Sequence, residues 1–155
     1  MTMTNHFMTG ALVAVVFHRP EVALPVAFVS HFAIDALPHY GYGFIDPKER
    51  DKQNRFIFKQ TIDAYTALAL FWLVPYLLRA QQTPLVTGAC MLVAFIPDAI
   101  WTFHFVRAGR GHDYPELNWF NKLHKAIQWC ERRWGIYVEA VWVVLVVVAI
   151  KLVVS

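Results

Sequence analysis

Apolar residues run along the chain in five blocks, and most polar residues fall between the blocks or at their ends. Residues 5–17 form the first block, which breaks at His18-Arg19-Pro20-Glu21. Residues 22–37 form the second, which stops at Pro38 because proline cannot continue a helix. Both are shorter than the roughly 20 residues that span a bilayer comfortably, which predicts a short hairpin. Residues 57–78 and 85–106 are each long enough to span, joined by a tight connection at 81–84, and residues 136–154 span again. Between them, residues 40–55 carry GYG, Asp46-Pro47 and a mixed charge run, the chemistry of a loop, and 109–116 form another. In residues 117–134, Leu117, Phe120, Leu123, His124, Ile127 and Cys130 recur at helical spacing opposite Lys122, Lys125, Arg132 and Arg133. That is the pattern of an amphipathic helix lying in a membrane interface. The expected fold is therefore all-α: a single integral membrane domain over residues 1–155, with about five membrane helices, the first two short, plus one interfacial helix.

Composition agrees with this pattern. A chain that is 57% hydrophobic and only 16% charged lies outside the usual balance of a soluble domain. The net charge of +3 comes without the dense basic face that nucleic-acid binding needs. Cys90 and Cys130 form no CxxC, so neither a disulfide framework nor a thiolate metal site is inferred. The first block has no Lys or Arg before it and no small-residue cleavage site after it, so the first helix is expected to be retained. Alternating the five blocks puts the basic residues of 48–59 and 107–133 on one side, leaving Arg19, Arg79 and Lys151 opposite. The positive-inside rule then places the amino terminus of this multi-pass protein in the cytoplasm, with residues 40–55 as a cytoplasmic loop.

This topology gathers scattered ionisable residues at one depth. His6 begins the first helix, His31, Asp35 and His39 end the second, Asp63 begins the third, Asp98 and His104 lie in the last half of the fourth, and Glu139 begins the fifth. Ionisable groups at membrane depth are costly and mark functional sites by default. His31 and Asp35, four residues apart, share one helix face and can bind one ion, and Pro38 can turn His39 toward it or toward a second. His6, with Gly10 permitting close helix approach, and Asp98, following Pro97, complete the expected ligand set of His6, His31, Asp35, His39 and Asp98. Mixed imidazoles and carboxylates suit zinc first, with manganese or iron as alternatives. A zinc-bound water with a pKa near about 7 is a nucleophile at neutral pH. Asp63 is the candidate to orient that water or take its proton. His104 and Glu139 divide between supporting the ligands and ordinary packing, His124 reads as interfacial, and His18 and His112 as loop residues.

His6-x3-Gly10, His31-x3-Asp35 followed by Tyr40-Gly41, and Pro97-Asp98 in an apolar helix resemble the YdjM-type inner-membrane metal-dependent hydrolase family. The resemblance covers the first two helices best, and it implies a helical membrane hydrolase with His6, His31, Asp35 and Asp98 at its metal centre. The family's His-Arg-Gly-x-Thr-His-Ser block is missing, and Ile100 stands where an acidic residue is expected. The His-x3-Asp pattern with a later His is also similar to the all-helical zinc phospholipase C and single-strand nuclease group.

These readings converge on a hydrolase that cleaves an ester or phosphoester in a lipid-like substrate at the cytoplasmic leaflet. Membrane lipid is its expected partner, drawn by the basic loops. A metal or proton transporter, a haem-binding protein using His31 with His6 or His104, and a non-enzymatic membrane scaffold are the alternatives.

Overall fold

The protein is described from a computed structural model, which covers residues 1–40, 50–108 and 118–155, with backbone alone for 50–53, 56 and 104–108. Six helices account for nearly all of it: α1 (Met3–Val16), α2 (Pro20–Asp35), α3 (Arg50–Leu77), α4 (Pro84–Ala108), α5 (Trp119–Ile127) and α6 (Gly135–Val154). Two short strands, β1 (His39–Tyr40) and β2 (Glu131–Arg132), pair in parallel, His39 opposite Glu131.

α1 is the axis of the bundle, packed against α2, α3, α4 and α6. Its apolar residues face every direction, as a helix surrounded by others requires, and every residue from Asn5 to Ala11 is buried. Two apolar clusters meet on it. One joins Phe7, Met8, Ala11 and Val15 to Ala67, Val74, Met91, Val146 and Ile150; the other joins Val13 and Ala14 to Ala23, Ala27, Cys90 and Ala94. The second cluster is built largely from small side chains, which let α1, α2 and α4 approach closely. Gly10 marks a close approach of α1 to α4, because a Cβ there would lie 2.5 Å from the Cys90 carbonyl oxygen.

The helix ends follow local rules. Pro20 opens α2 in the first turn, where its missing N–H costs nothing, and Pro38 follows its end. Asn118 caps α5, its Oδ1 accepting from the Asn121 N–H at 2.8 Å. α3 begins at Arg50, earlier than its apolar block, because the run Arg50 to Arg55 contains good helix formers that extend the helix into a polar turn and a half. The expected helix over 117–134 is shorter: α5 ends at Ile127, and the chain then forms β2 before α6. Gln128 leaves the helix to reach Asp35, and the β1 pairing fixes an extended backbone at Glu131.

Two helical stretches, Pro84–Phe103 and Gly135–Val154, are long and apolar enough to cross a membrane, and α1 is a shorter apolar helix. The outer surface of α6 and of the second half of α3 is apolar as well, whereas the first half of α3 exposes Arg55, Lys59 and Gln60. Tyr65, Trp72, Tyr137, Val144 and Leu152 are exposed on the apolar part, a surface better matched to lipid than to water.

Candidate metal centre

Four helices deliver side chains to one point near the end of the bundle where α1 starts and α2 finishes. α1 supplies His6, α2 supplies His31 and Asp35 one turn apart, α4 supplies Asp98, and α5 supplies His124. The side chains of His6, His31, Asp35 and His124 are fully buried, and that of Asp98 is nearly so.

The geometry is close. His31 Nε2 lies 3.0 Å from His124 Nε2, 3.2 Å from Asp35 Oδ2 and 3.8 Å from Asp98 Oδ1. His124 Nε2 lies 3.4 Å from Asp35 Oδ2 and 3.2 Å from Asp98 Oδ1. Ligand atoms 2.0–2.2 Å from a tetrahedral ion stand about 3.3–3.6 Å from one another, so these four atoms have the spacing of a coordination shell. On the other side of the two carboxylates, His6 Nε2 lies 3.2 Å from Asp35 Oδ1 and 3.3 Å from Asp98 Oδ2. One donor atom each from His6, His31, Asp35 and Asp98 fits within 4.8 Å, so this group could hold a metal ion.

Neighbouring contacts aim the donors. His31 Nδ1 meets the Ala94 carbonyl at 2.9 Å; with Nδ1 donating, Nε2 turns its lone pair to the cluster. Pro97 loosens the neighbouring α4 turn, since it has no N–H for the Val93 carbonyl four residues back and crowds it. The His6 and His31 rings stack with centroids 4.1 Å apart, and the edge of Trp101 packs against His124. Gln128 Nε2 donates to Asp35 Oδ2 at 3.3 Å, and the Met1 amino group touches Oδ1.

The polar atoms of this cluster are under-satisfied. Neither nitrogen of His6 has a hydrogen-bond partner, nor has His124 Nδ1. Unpaired buried polar atoms are costly, and a cation beside His6 Nε2 would supply the interaction that this atom lacks. Burial disfavours the His124 imidazolium, but the Asp35 and Asp98 carboxylates outweigh it and hold the metal-free side chain up to about 9.

The structure divides the residues expected from sequence. His6, His31, Asp35 and Asp98 come together. His39 stands apart from them in β1: Nδ1 lies 2.8 Å from the Leu37 carbonyl, and Nε2 is 3.9 Å from Glu131 Oε1. Pro38 ends α2, and the extended residue after it follows β2 instead of curling back. Asp63 caps α1, its carboxylate accepting from the Met3 N–H at 2.6 Å and the Thr4 N–H at 3.2 Å. Thr2 makes no side-chain cap there, so Asp63 satisfies orphan donors of the helix and complements its positive end. Glu139 accepts from the Tyr40 N–H at 2.9 Å and anchors β1. The side chain of His104, and His112 altogether, lie outside the described residues.

His124 is the member that sequence reasoning placed elsewhere. Its position on the apolar face of an amphipathic helix was visible, but so was that of five other residues. The usable signal was an ionisable group on a face otherwise made of Phe120, Leu123 and Ile127.

Comparison with known protein families, curated proteins and solved structures gave no match.

Proposed function

We propose that the chain is a membrane-embedded metal-dependent hydrolase, acting on an ester or phosphoester of a lipid-like substrate at the cytoplasmic leaflet, as a divergent relative of the YdjM-type family. The observation that carries this reading is the convergence of three imidazoles and two carboxylates, from four helices, at ligand-to-ligand distances in the interior of the bundle.

His31, His124, Asp35, Asp98 and His6 would hold a divalent ion, zinc first by the mixture of nitrogen and oxygen donors. Such an ion supplies Lewis acidity and lowers the pKa of a bound water to near about 7. The protein's own part is orientation. The Ala94 carbonyl fixes the His31 ring, Trp101 backs His124, and Gln128 holds Asp35 while its amide remains beside His124 Nε2 at 3.4 Å. The charge of two buried carboxylates favours a dication over a neutral guest. The His6 and His31 rings stack with centroids 4.1 Å apart, which leaves no room between them for a porphyrin plane and favours a bare ion over haem.

A lipid-like substrate is supported by position. The cluster lies near one end of the bundle, where a membrane helix ends at the headgroup level, and apolar surfaces of α3 and α6 lie outside it. In this reading the first two helices and α3 join α4 and α6 in the membrane as a five-helix bundle, with α5 at its cytoplasmic face. The test is metal content of the detergent-purified full chain by plasma mass spectrometry, followed by turnover of fluorogenic phospholipids and phosphoesters before and after chelation. Stoichiometric transition metal, and hydrolysis that chelator abolishes and zinc restores, would support the assignment. Folded protein that neither carries nor takes up metal would overturn it.

A further inference from the structure

Each carboxylate of the cluster presents both of its oxygens, and the two oxygens face different imidazoles. Asp35 Oδ2 and Asp98 Oδ1 face His31 and His124, while Asp35 Oδ1 and Asp98 Oδ2 face His6. A single ion could take one donor from each of His6, His31, Asp35 and Asp98, which lie within 4.8 Å of one another, but it would leave the second oxygen of each carboxylate unused. We infer that the centre is dinuclear, with Asp35 and Asp98 bridging two divalent ions, and that the ion on the His6 side is the one with a free coordination position.

The distances define two positions. The first has four donors: His31 Nε2, His124 Nε2, Asp35 Oδ2 and Asp98 Oδ1. The second has three, because His6 Nε2 stands 3.2 and 3.3 Å from the remaining two oxygens. Those separations also match the edge of a tetrahedral shell, about 3.3–3.6 Å. Bridged ions in two-metal hydrolytic sites lie about 3.5–4 Å apart, a span that two carboxylates with opposed oxygens accommodate.

A second, independent observation points to a ligand at this position. His6 is fully buried, and its Nε2 has no hydrogen-bond partner although it lies beside two carboxylate oxygens. The Met1 amino group contacts the Asp35 oxygen of this position, and an ion there would displace it. Four protein donors close a zinc site, whereas three leave a coordination position for water or substrate. The His31 and His124 position therefore reads as the anchoring ion and the His6 position as the reactive one.

This inference rests on the metal-centre reading, and the experiment separates the two. Metal would be measured per chain in the purified full-length protein, in wild type and in His6→Ala, after loading with zinc and removal of excess. About two ions in wild type and about one in His6→Ala are expected. One ion in wild type, retained in or lost from His6→Ala, would overturn the dinuclear centre while leaving the metal site standing; none in wild type would overturn both. Manganese-loaded wild type gives a check that needs no variant. Two bridged Mn(II) ions give an exchange-coupled multiline spectrum with hyperfine spacing half that of an isolated ion. A simple six-line spectrum at two bound ions per chain would exclude the bridge.

Discussion

Two sets of buried or half-buried ionisable residues occupy the same end of the bundle and differ in what their tips meet. In one, His6, His31, Asp35, Asp98 and His124 turn their terminal atoms toward one another. In the other, Asp63 and Glu139 turn theirs to backbone N–H groups, and His39 gives one ring nitrogen to a backbone carbonyl. Both sets have the residue types and depth that suggest chemistry in a membrane protein. The difference shows that burial of a charged residue identifies a constraint, and the partner of its terminal atom identifies the role. Carboxylates on backbone donors finish a helix end or a strand, whereas carboxylates facing only imidazoles, an amide and an amine can take a cation.

The comparison would break most visibly at Asp35, which touches every other member of the cluster except Asp98. Asp35→Asn is expected to remove bound metal and any hydrolysis, lowering turnover by a factor on the order of 1,000 or more, with the protein still inserted and helical by circular dichroism. Retention of full metal content would put the site elsewhere.

His124→Ala should follow, with metal affinity falling by about 10–100-fold or more, measured by competition with a chromogenic chelator. If α5 only lies on the surface, as its amphipathic pattern alone suggests, affinity would not change.

Gly10→Leu tests the scaffold shared by both sets. A side chain there meets the α4 backbone at Cys90 and Met91, so α1 must shift away from α4, separating His6 from Asp98. Overpacking costs of about 1–3 kcal/mol are expected, with a lower melting temperature and reduced metal occupancy together. A melting temperature equal to that of wild type would mean the helices do not approach as closely as described.

Asp63→Ala sharpens the contrast from the other side. Loss of an α1 cap should cost about 1 kcal/mol of stability while metal stoichiometry stays unchanged. Loss of metal without loss of stability would move Asp63 into the cluster.

The smallest effect is on pH dependence. In metal-free protein the folded His124 titrates at about 9 against an ordinary value of 6.5. A raised folded value stabilises the fold fully below pH 6.5, and that contribution is lost as pH rises through about 9. The melting temperature of chelator-treated wild type should therefore fall across this window, and His124→Gln should flatten the slope.

Much of this was legible in the sequence because it depends on local rules. Helical blocks, the stop at Pro38 and the break at Pro20 follow from apolar runs and the missing proline N–H. The His31 and Asp35 pair needs only the four-residue period of one helix, and Gly10 announces a close approach without naming its partner. What the sequence left open was direction. His39 lies four residues after Asp35, at the spacing that joins Asp35 to His31, yet Pro38 had already ended the helix that would have made the spacing meaningful. Asp63 stands at the right depth, but only the packing of α3 beside the start of α1 turns it to the Met3 and Thr4 N–H groups. The sequence by itself determined an apolar helical chain and one pair of neighbouring candidate ligands, because these depend on residues within one turn of each other. Tertiary structure decided the rest: His6, Asp98 and His124 lie far apart along the chain, and only the docking of α1, α4 and α5 brings their side chains to the same two carboxylates.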